Sequence, residues 1–174
     1  IWKLMLNQET GIINYLLNTT GITENSIPWV THEVWAKIAI CFVFAWRGTP
    51  FLMVIFLAAL KTIPSEIIDA AKIDGASAIS RFRHITIPII RPIIMIATLL
   101  LVIMIFQNYE IIMQTTEGGP ANGTKTLAIR AYELAFNSWR MGRATAVGIT
   151  WLLFLFVFSL LYMRFVGGRD QKIF

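Results

Sequence analysis

The sequence predicts an all-α, polytopic membrane helix bundle with three transmembrane helices, and three observations carry that prediction. Hydrophobic residues make up 56% of the 174 positions and charged residues only 14%, with a mean hydropathy of +0.66; water-soluble domains carry about a quarter charged residues. Three apolar stretches, 38–60, 89–113 and 144–163, are each long enough to cross a hydrocarbon core of about 30 Å at about 1.5 Å per residue. Basic residues gather at the ends of those stretches, which is the membrane pattern. The net charge of +5 comes with no basic stripe interleaved with exposed aromatics and no nucleic-acid motif, so a nucleic-acid partner is not expected. Catalysis is not expected either. The chain has no P-loop and no Ser/His/Asp arrangement, and its histidines, His32 and His84, lack metal-ligand spacing. Cys41 is alone and cannot form an intrachain disulfide.

Residues 1–34 mix Trp2, Met5, Asn14, Tyr15 and Trp29 with Gly11, Gly21 and Pro28 and never sustain an apolar run, so they are expected to form an external loop with short amphipathic turns. The first residue is Ile1, and the start resembles neither a signal peptide nor a span, so the chain is expected to be the C-terminal part of a longer protein. The membrane domain is placed at 35–165. Its first span holds one charge, Arg47, within Arg47-Gly48-Thr49-Pro50. Proline frees a backbone carbonyl and glycine removes a side chain, so the helix is expected to kink or loosen there. A mid-span arginine is costly unless it faces a cavity or a partner. A neighbouring helix satisfying the charge is the plainer alternative; a cavity-lining role is favoured.

The connection 61–88 is polar and basic. Pro64 stops the preceding helix and suits the first turn of a new one, with Ser65 expected as its cap and Glu66 and Asp69 near its positive end. Gly75 is expected to end that helix by accepting a left-handed conformation. The backbone then reverses through Ala76-Ser77 into a second short piece, Ala78 to His84, on which Ile79 and Phe82 share one face while Arg81 and Arg83 turn elsewhere. Pro88 is expected to start the next span.

That second span, 89–113, places Gln107, Asn108, Tyr109 and Glu110 near its far end, where amides and a phenol need partners: sugar hydroxyls or neighbouring helices. The stretch 114–142 is read as an external loop, rich in glycine up to Thr126, followed by an amphipathic helix with Leu127, Ala131, Leu134, Ala135 and Ser138 on one face. A cytoplasmic tail is placed at 166–174. Lys61, Lys72, Arg81, Arg83 and Arg91 make the 61–91 connection the most basic, and the end of the chain adds Arg164, Arg169 and Lys172; the positive-inside rule puts both in the cytoplasm.

The connection carries a spacing as well as a charge: Asp69-Ala70-Ala71, three residues, Gly75, nine residues, Ile85, one residue, Ile87-Pro88. This resembles the EAA loop, EAA-x3-G-x9-I-x-LP, of the membrane subunits of binding-protein-dependent ABC importers, with Asp69 and Ile87 as the two departures. An ordinary solvated basic loop shares its charge and turn chemistry but not seven positions in register. The resemblance implies the type I ABC importer permease fold. It further implies that Glu66, Asp69, Ala70, Ala71, Gly75, Phe82, Ile85 and Pro88 couple to two ATP-binding subunits. ATP and magnesium would sit on those subunits, with no cofactor or metal on this chain. A second permease subunit, a paralogue, an extracytoplasmic solute-binding protein and the lipid membrane complete the implied partners, in a prokaryotic inner membrane. Phe106-Gln-Asn-Tyr, Gly118-Gly119-Pro120, Tyr132-x2-Ala135-Phe136 and Gly142-x-Ala144-x-Ala146 resemble the carbohydrate branch of that family. Its maltose-type members imply solute contacts at Phe44, Arg47, Gly48, Phe51, Leu101, Ile105 and Asn108. Gly48 and Asn108 match in type, whereas Phe44, Leu101 and Ile105 replace polar groups and Arg47 replaces an aliphatic one, which argues against maltose itself and for an anionic or strongly polar solute read by Arg47. The rival readings are an amino acid or phosphate branch of the same importers and a channel that needs no ATPase.

Overall fold

The computed structural model describes residues 1–167, and every regular element in them is helical. Two short helices come first, α1 (Trp2–Met5) and α2 (Ile12–Thr19), within the stretch expected as a loop. Helix α3 (Glu33–Lys61) follows, then α4 (Ser65–Ile73), and then α5, which runs unbroken over Ala78–Phe106. Helix α6 is Glu110–Thr115. Helix α7, Leu127–Tyr132, continues as a π turn at Glu133–Asn137, and α8, Met141–Tyr162, continues as one at Met163–Gly167. Helices α3, α5 and the Met141–Val166 segment are long and apolar enough to cross a membrane, so the three expected spans are present. Of the cytoplasmic tail expected at 166–174, Arg169 and Lys172 lie outside the described residues.

Several boundaries differ from the sequence expectation. The first span is a continuous helix through Arg47-Gly48-Thr49-Pro50, with Pro50 inside it. Proline removes one intrahelical bond, but the i→i−4 bonds on either side are enough to carry the helix across. Pro88 does not start a span. The piece that begins at Ala78 is already the first turn of α5, and Pro88 and Pro92 both lie within the helix. Just ahead of Pro88 the backbone widens into a π turn over Phe82–Thr86, closed by Ile87 N–H on the Phe82 carbonyl. A widened turn relieves the clash that the pyrrolidine ring would make with the preceding turn. At its other end α5 stops at Phe106 instead of 113. Tyr109 is the N-cap of α6, and just ahead of it the Asn108 side chain accepts a hydrogen bond from Ile111 N–H in the first turn at 2.9 Å.

The chain divides into two compact units. In the first, Ile1–Arg47 with Met104–Leu155, Ala36, Ala39, Ile40 and Val43 recur at helical spacing on α3 and are buried. The last three join Leu6, Ile111, Ile112 and Ile129 in one core. On α7 the buried residues are Ile129 and Leu134, whereas Leu127, expected on the packed face, is 43% exposed. Trp2 packs edge-on against Phe42 and Trp46, with ring centroids 5.9 and 6.3 Å away. Asn14, only 2% exposed, holds the N-terminal segment together. Its amide nitrogen donates to the Gln8 and Ile27 carbonyls, and its oxygen accepts from Ile27 N–H and the Trp29 indole. All four bonds an asparagine side chain can make are made.

In the second unit, which comprises 48–103 and the chain from 156 onward, the buried residues are Ala59, Ala71, Ile90 and Ala97. Three of the four are alanines, which let helix backbones approach closely, as expected for helices packing in lipid. Large apolar side chains instead stay bare: Met53 and Val54 on α3 and Ile96 on α5 are all more than 60% exposed, as lipid-facing or partner-facing surfaces are.

Replacing Asn14 with alanine is expected to destabilise the full-length protein by about 2–4 kcal/mol, because the Ile27 and Gln8 backbone groups lose their buried partner. The checking measurement is the thermal unfolding midpoint in detergent, which should fall by several degrees.

Candidate functional site

The elbow between α3 and α5 is built by a sequence of caps. Pro64, not Ser65, occupies the N-cap of α4, and no side chain caps it; Ser65 is already the first helical residue. The far end closes as expected at Gly75, whose φ of +75° lies in the left-handed region. Ala76 N–H bonds the Ala71 carbonyl at 2.9 Å and Gly75 N–H bonds the Lys72 carbonyl at 3.0 Å, the paired bonds of a Schellman ending. The next helix begins three residues later, where Ser77 Oγ accepts from Ser80 N–H at 3.2 Å. Arg81 folds back and donates to the Ala76 carbonyl. Neither contact was anticipated. Ser77 carries a recognisable N-cap preference, but nothing in the local pattern announces the Arg81 clamp.

Most of the residues expected to couple to ATP-binding subunits are exposed on this backbone. Glu66, Asp69, Ala70, Gly75, Phe82 and Pro88 are exposed, Ile85 is half-buried, and Ala71 is packed. Asp69 pairs with Lys72 at 2.7 Å, a surface ion pair that screens both charges and adds little stability. Ile73 and Ile79 flank the turn at 87% and 80% exposure, with Phe82 at 57%. Isoleucines left this bare beside charged neighbours make a surface suited to covering by another protein. A Cβ added at Gly75 would meet nothing within 4 Å, so any cost there is conformational rather than steric.

The residues expected to contact solute fall in both units, Phe44, Arg47, Ile105 and Asn108 in the first and Gly48, Phe51 and Leu101 in the second. Gly48 and Leu101 meet: a Cβ built on Gly48 would lie 3.0 Å from Leu101 Cδ1, so the small residue is what permits the approach. Phe51 is half-buried. Arg47 stands fourteen residues from either end of α3, is exposed, and has no hydrogen bond or ion pair among the described residues. Asn108 uses its oxygen to accept from Ile111 N–H in the first turn of α6 and leaves its amide nitrogen without a partner among the described residues. Phe44 and Ile105 line a groove of about 590 Å³ in the first unit. Beside it Phe106 packs against Trp151 and Phe154, and Tyr109 stacks on Tyr132 at 4.7 Å. Burial pushes the Tyr109 phenol above its usual range, with Tyr132 adding to the effect.

Around the loop 116–126, charge does the positioning. Lys3 reaches Glu117 at 2.7 Å, and Glu133 takes Lys125 at 2.7 Å and Arg130 at 3.3 Å. The hydrogen bond from Lys125 is the main cause of a Glu133 carboxyl held below its usual range; partial burial opposes it, and Arg130 reinforces it. No group of three or more metal-ligating side chains occurs among the described residues.

Residues 10–172 match the family described as the binding-protein-dependent transport system inner membrane component. A probable ABC transporter permease of Brucella suis biovar 1 is 36% identical over 172 residues, covering 99% of this chain and 60% of its own length. The lactose transport system permease protein of Rhizobium radiobacter is 35% identical, with 99% and 58% covered. The trehalose/maltose transport system permease protein of Thermococcus litoralis is 32% identical, with 98% and 56% covered. The chain therefore spans a little over half the length of these relatives. A bacterial ABC transporter involved in import of the acidic polysaccharide alginate shares the fold, with a TM-score of 0.78 at 23% identity over 99% of this chain and 58% of that one.

A group whose folded pKa is depressed stabilises the fold above its unfolded value and loses that contribution as pH falls through the folded value. The stability difference between wild type and Glu133→Gln is thus expected to be largest near neutrality and to shrink as pH falls from about 5 to about 3. Unfolding midpoints of both proteins across that range check it.

Proposed function

The chain belongs to the family of binding-protein-dependent transport inner-membrane components, and from that premise we propose that it forms the membrane path of an ATP-driven importer for a saccharide. The observation that carries the proposal is the elbow. Three features coincide there: seven motif positions in register, a left-handed glycine turn, and a bare Ile73, Ile79 and Phe82 surface. A turn locked by the Ala76–Ala71 and Arg81–Ala76 bonds behaves as a rigid knob, able to pass a displacement from a bound protein into α5, with which it is continuous.

The implied partners are two ATP-hydrolysing subunits on the elbow, a second permease subunit and an extracytoplasmic binding protein. The chain itself carries out no hydrolysis. The elbow faces the cytoplasm in this reading, in keeping with Lys61, Lys72, Arg81, Arg83 and Arg91, and the end of the chain lies on the same side. Closure of the ATPases would draw elbows together and rock the spans between inward-open and outward-open arrangements.

The saccharide class follows from the lactose and trehalose/maltose names of relatives above 30% identity. Arg47 is assigned the recognition of an anionic or strongly polar group, since a bare guanidinium midway along a span is costly without a polar counterpart. In the first unit the Asn108 amide nitrogen is assigned to a solute hydroxyl; in the second, Gly48, Phe51 and Leu101 are assigned apolar contact.

Gly75→Ile is expected to leave membrane insertion intact but to separate ATP hydrolysis from uptake in the reconstituted complex. Its left-handed φ costs an L residue about 1–2 kcal/mol and reshapes the turn. Hydrolysis still stimulated by loaded binding protein and still matched by uptake would refute the coupling role. Arg47→Leu is expected to reduce uptake of an acidic saccharide by about tenfold or more while sparing a neutral one. Equal uptake of both by the variant would remove Arg47 from solute recognition.

A further inference from the structure

The groove of about 590 Å³ in the first unit is polar at one end only. That end carries Lys37, one turn into α3, together with Thr124, Lys125 and Thr126. The loop bearing Lys125 lies against the start of α3: a Cβ on Gly123 would come within 2.6 Å of Glu33 Cγ. Along the rest of the groove the lining is Phe44, Phe106, Trp151 and Phe154 with aliphatic neighbours. Phe44 stands eleven residues into α3, and Trp151 and Phe154 stand ten and thirteen residues into α8. At about 1.5 Å per residue those positions lie some 15–20 Å along their helices from the loop side. The groove therefore starts at a charged edge and runs into the apolar length of two spans.

A saccharide does not suit the apolar part, because its hydroxyls would find no partners there. An amphiphile with a short polar head and a long apolar tail does. Two groups at the polar end, Lys37 and Lys125, bear on the head. Thr126 Oγ1, which has no hydrogen-bond partner among the described residues, is covered by protein and so is out of a ligand's reach. Lys37 pairs with Glu33 at 2.6 Å and Lys125 with Glu133 at 2.7 Å, each leaving ammonium donors over. The alternation of ammonium and carboxylate at this edge is complementary to a head that is itself zwitterionic, phosphate to the lysines and ammonium to the glutamates.

We infer that this groove holds one acyl chain of a phosphatidylethanolamine-type phospholipid, with the headgroup at Lys37 and Lys125. The inference rests on the proposed orientation only for its leaflet, which is the external one. It assigns Phe44 and Ile105 apolar contact with the tail rather than with sugar. An occupied groove also ties the loop at Lys125 to the spans, so the lipid is a structural ligand of the external loop.

The test uses the full-length permease in its assembled complex, reconstituted in nanodiscs with phosphatidylethanolamine bearing a photoactivatable acyl chain, and reads labelled peptides by mass spectrometry. Label is expected to concentrate on the segments carrying Phe106, Trp151 and Phe154. Cys41→Trp, which fills the groove, should abolish that label, while Leu153→Trp, on an exposed part of α8 outside the groove, should leave it. Lys37→Gln leaves the groove open and should lower labelling by removing one of the two ammonium groups at the headgroup; it stands in if the tryptophan variant fails to fold. Even labelling around α8, or label unchanged in both groove variants, would overturn the inference. So would protection of Cys41 from maleimide by the transported saccharide, or crosslinking of Cys41 to another protein helix. ATP-driven uptake by the same wild-type preparation is scored separately: its absence would refute the importer reading without touching the lipid site.

Discussion

A hydrocarbon core offers no water to a free N–H or C=O, and that constraint explains where this chain is regular and where it turns. The three spans stay helical through every proline they contain: Pro50 in α3, and Pro88 and Pro92 in α5. Where a proline strains a span near its end, the helix widens into a π turn instead of breaking, as at Phe82–Thr86. Changes of direction are confined to segments between spans, and each is closed by specific bonds. Gly75 ends α4 with a paired backbone ending, Ser77 opens α5, and Asn108 accepts from the first turn of α6.

The same constraint sorts the polar side chains into two kinds. Asn14, Ser77, Arg81 and Asn108 serve backbone groups of their own chain, and their chemistry is already satisfied in whole or in part by the fold. Arg47 is different, since the fold brings an exposed guanidinium to the middle of a span with no hydrogen bond or ion pair among the described residues. Groups of the second kind direct attention to what the chain binds. In the elbow the equivalent signal is apolar: Ile73 and Ile79 are held in the open by a turn too tightly bonded to fold them in.

Packing within each unit is light, and the type of residue buried says why. Alanines recur among the buried positions of both units, and the large side chains of the spans point outward. In lipid, burying leucine against leucine gains little, because the alternative neighbour is equally apolar; close backbone approach through small residues gains more. The first unit adds a water-type core around Leu6, Val43 and Ile129, and the Asn14 cluster ties its N-terminal segment into place.

The sequence by itself determined the class of the protein, its three spans, the placement of the turn at Gly75 and the family to which it belongs. These depend on hydropathy over about twenty residues, on glycine's access to positive φ and on a spacing, all of which are local properties. Only the tertiary structure decided that Pro64 rather than Ser65 sits at the N-cap of α4, that Pro88 lies inside α5, and that α5 ends at Phe106, just before Asn108 takes a bond from the first turn of the next helix. It alone also showed Gly48 seated against Leu101, and Phe44 and Ile105 opening on a groove instead of joining Asn108. Those outcomes depend on which backbone groups compete for one side chain and on what lies across from it in space. Neither quantity has a period or a spacing along the chain.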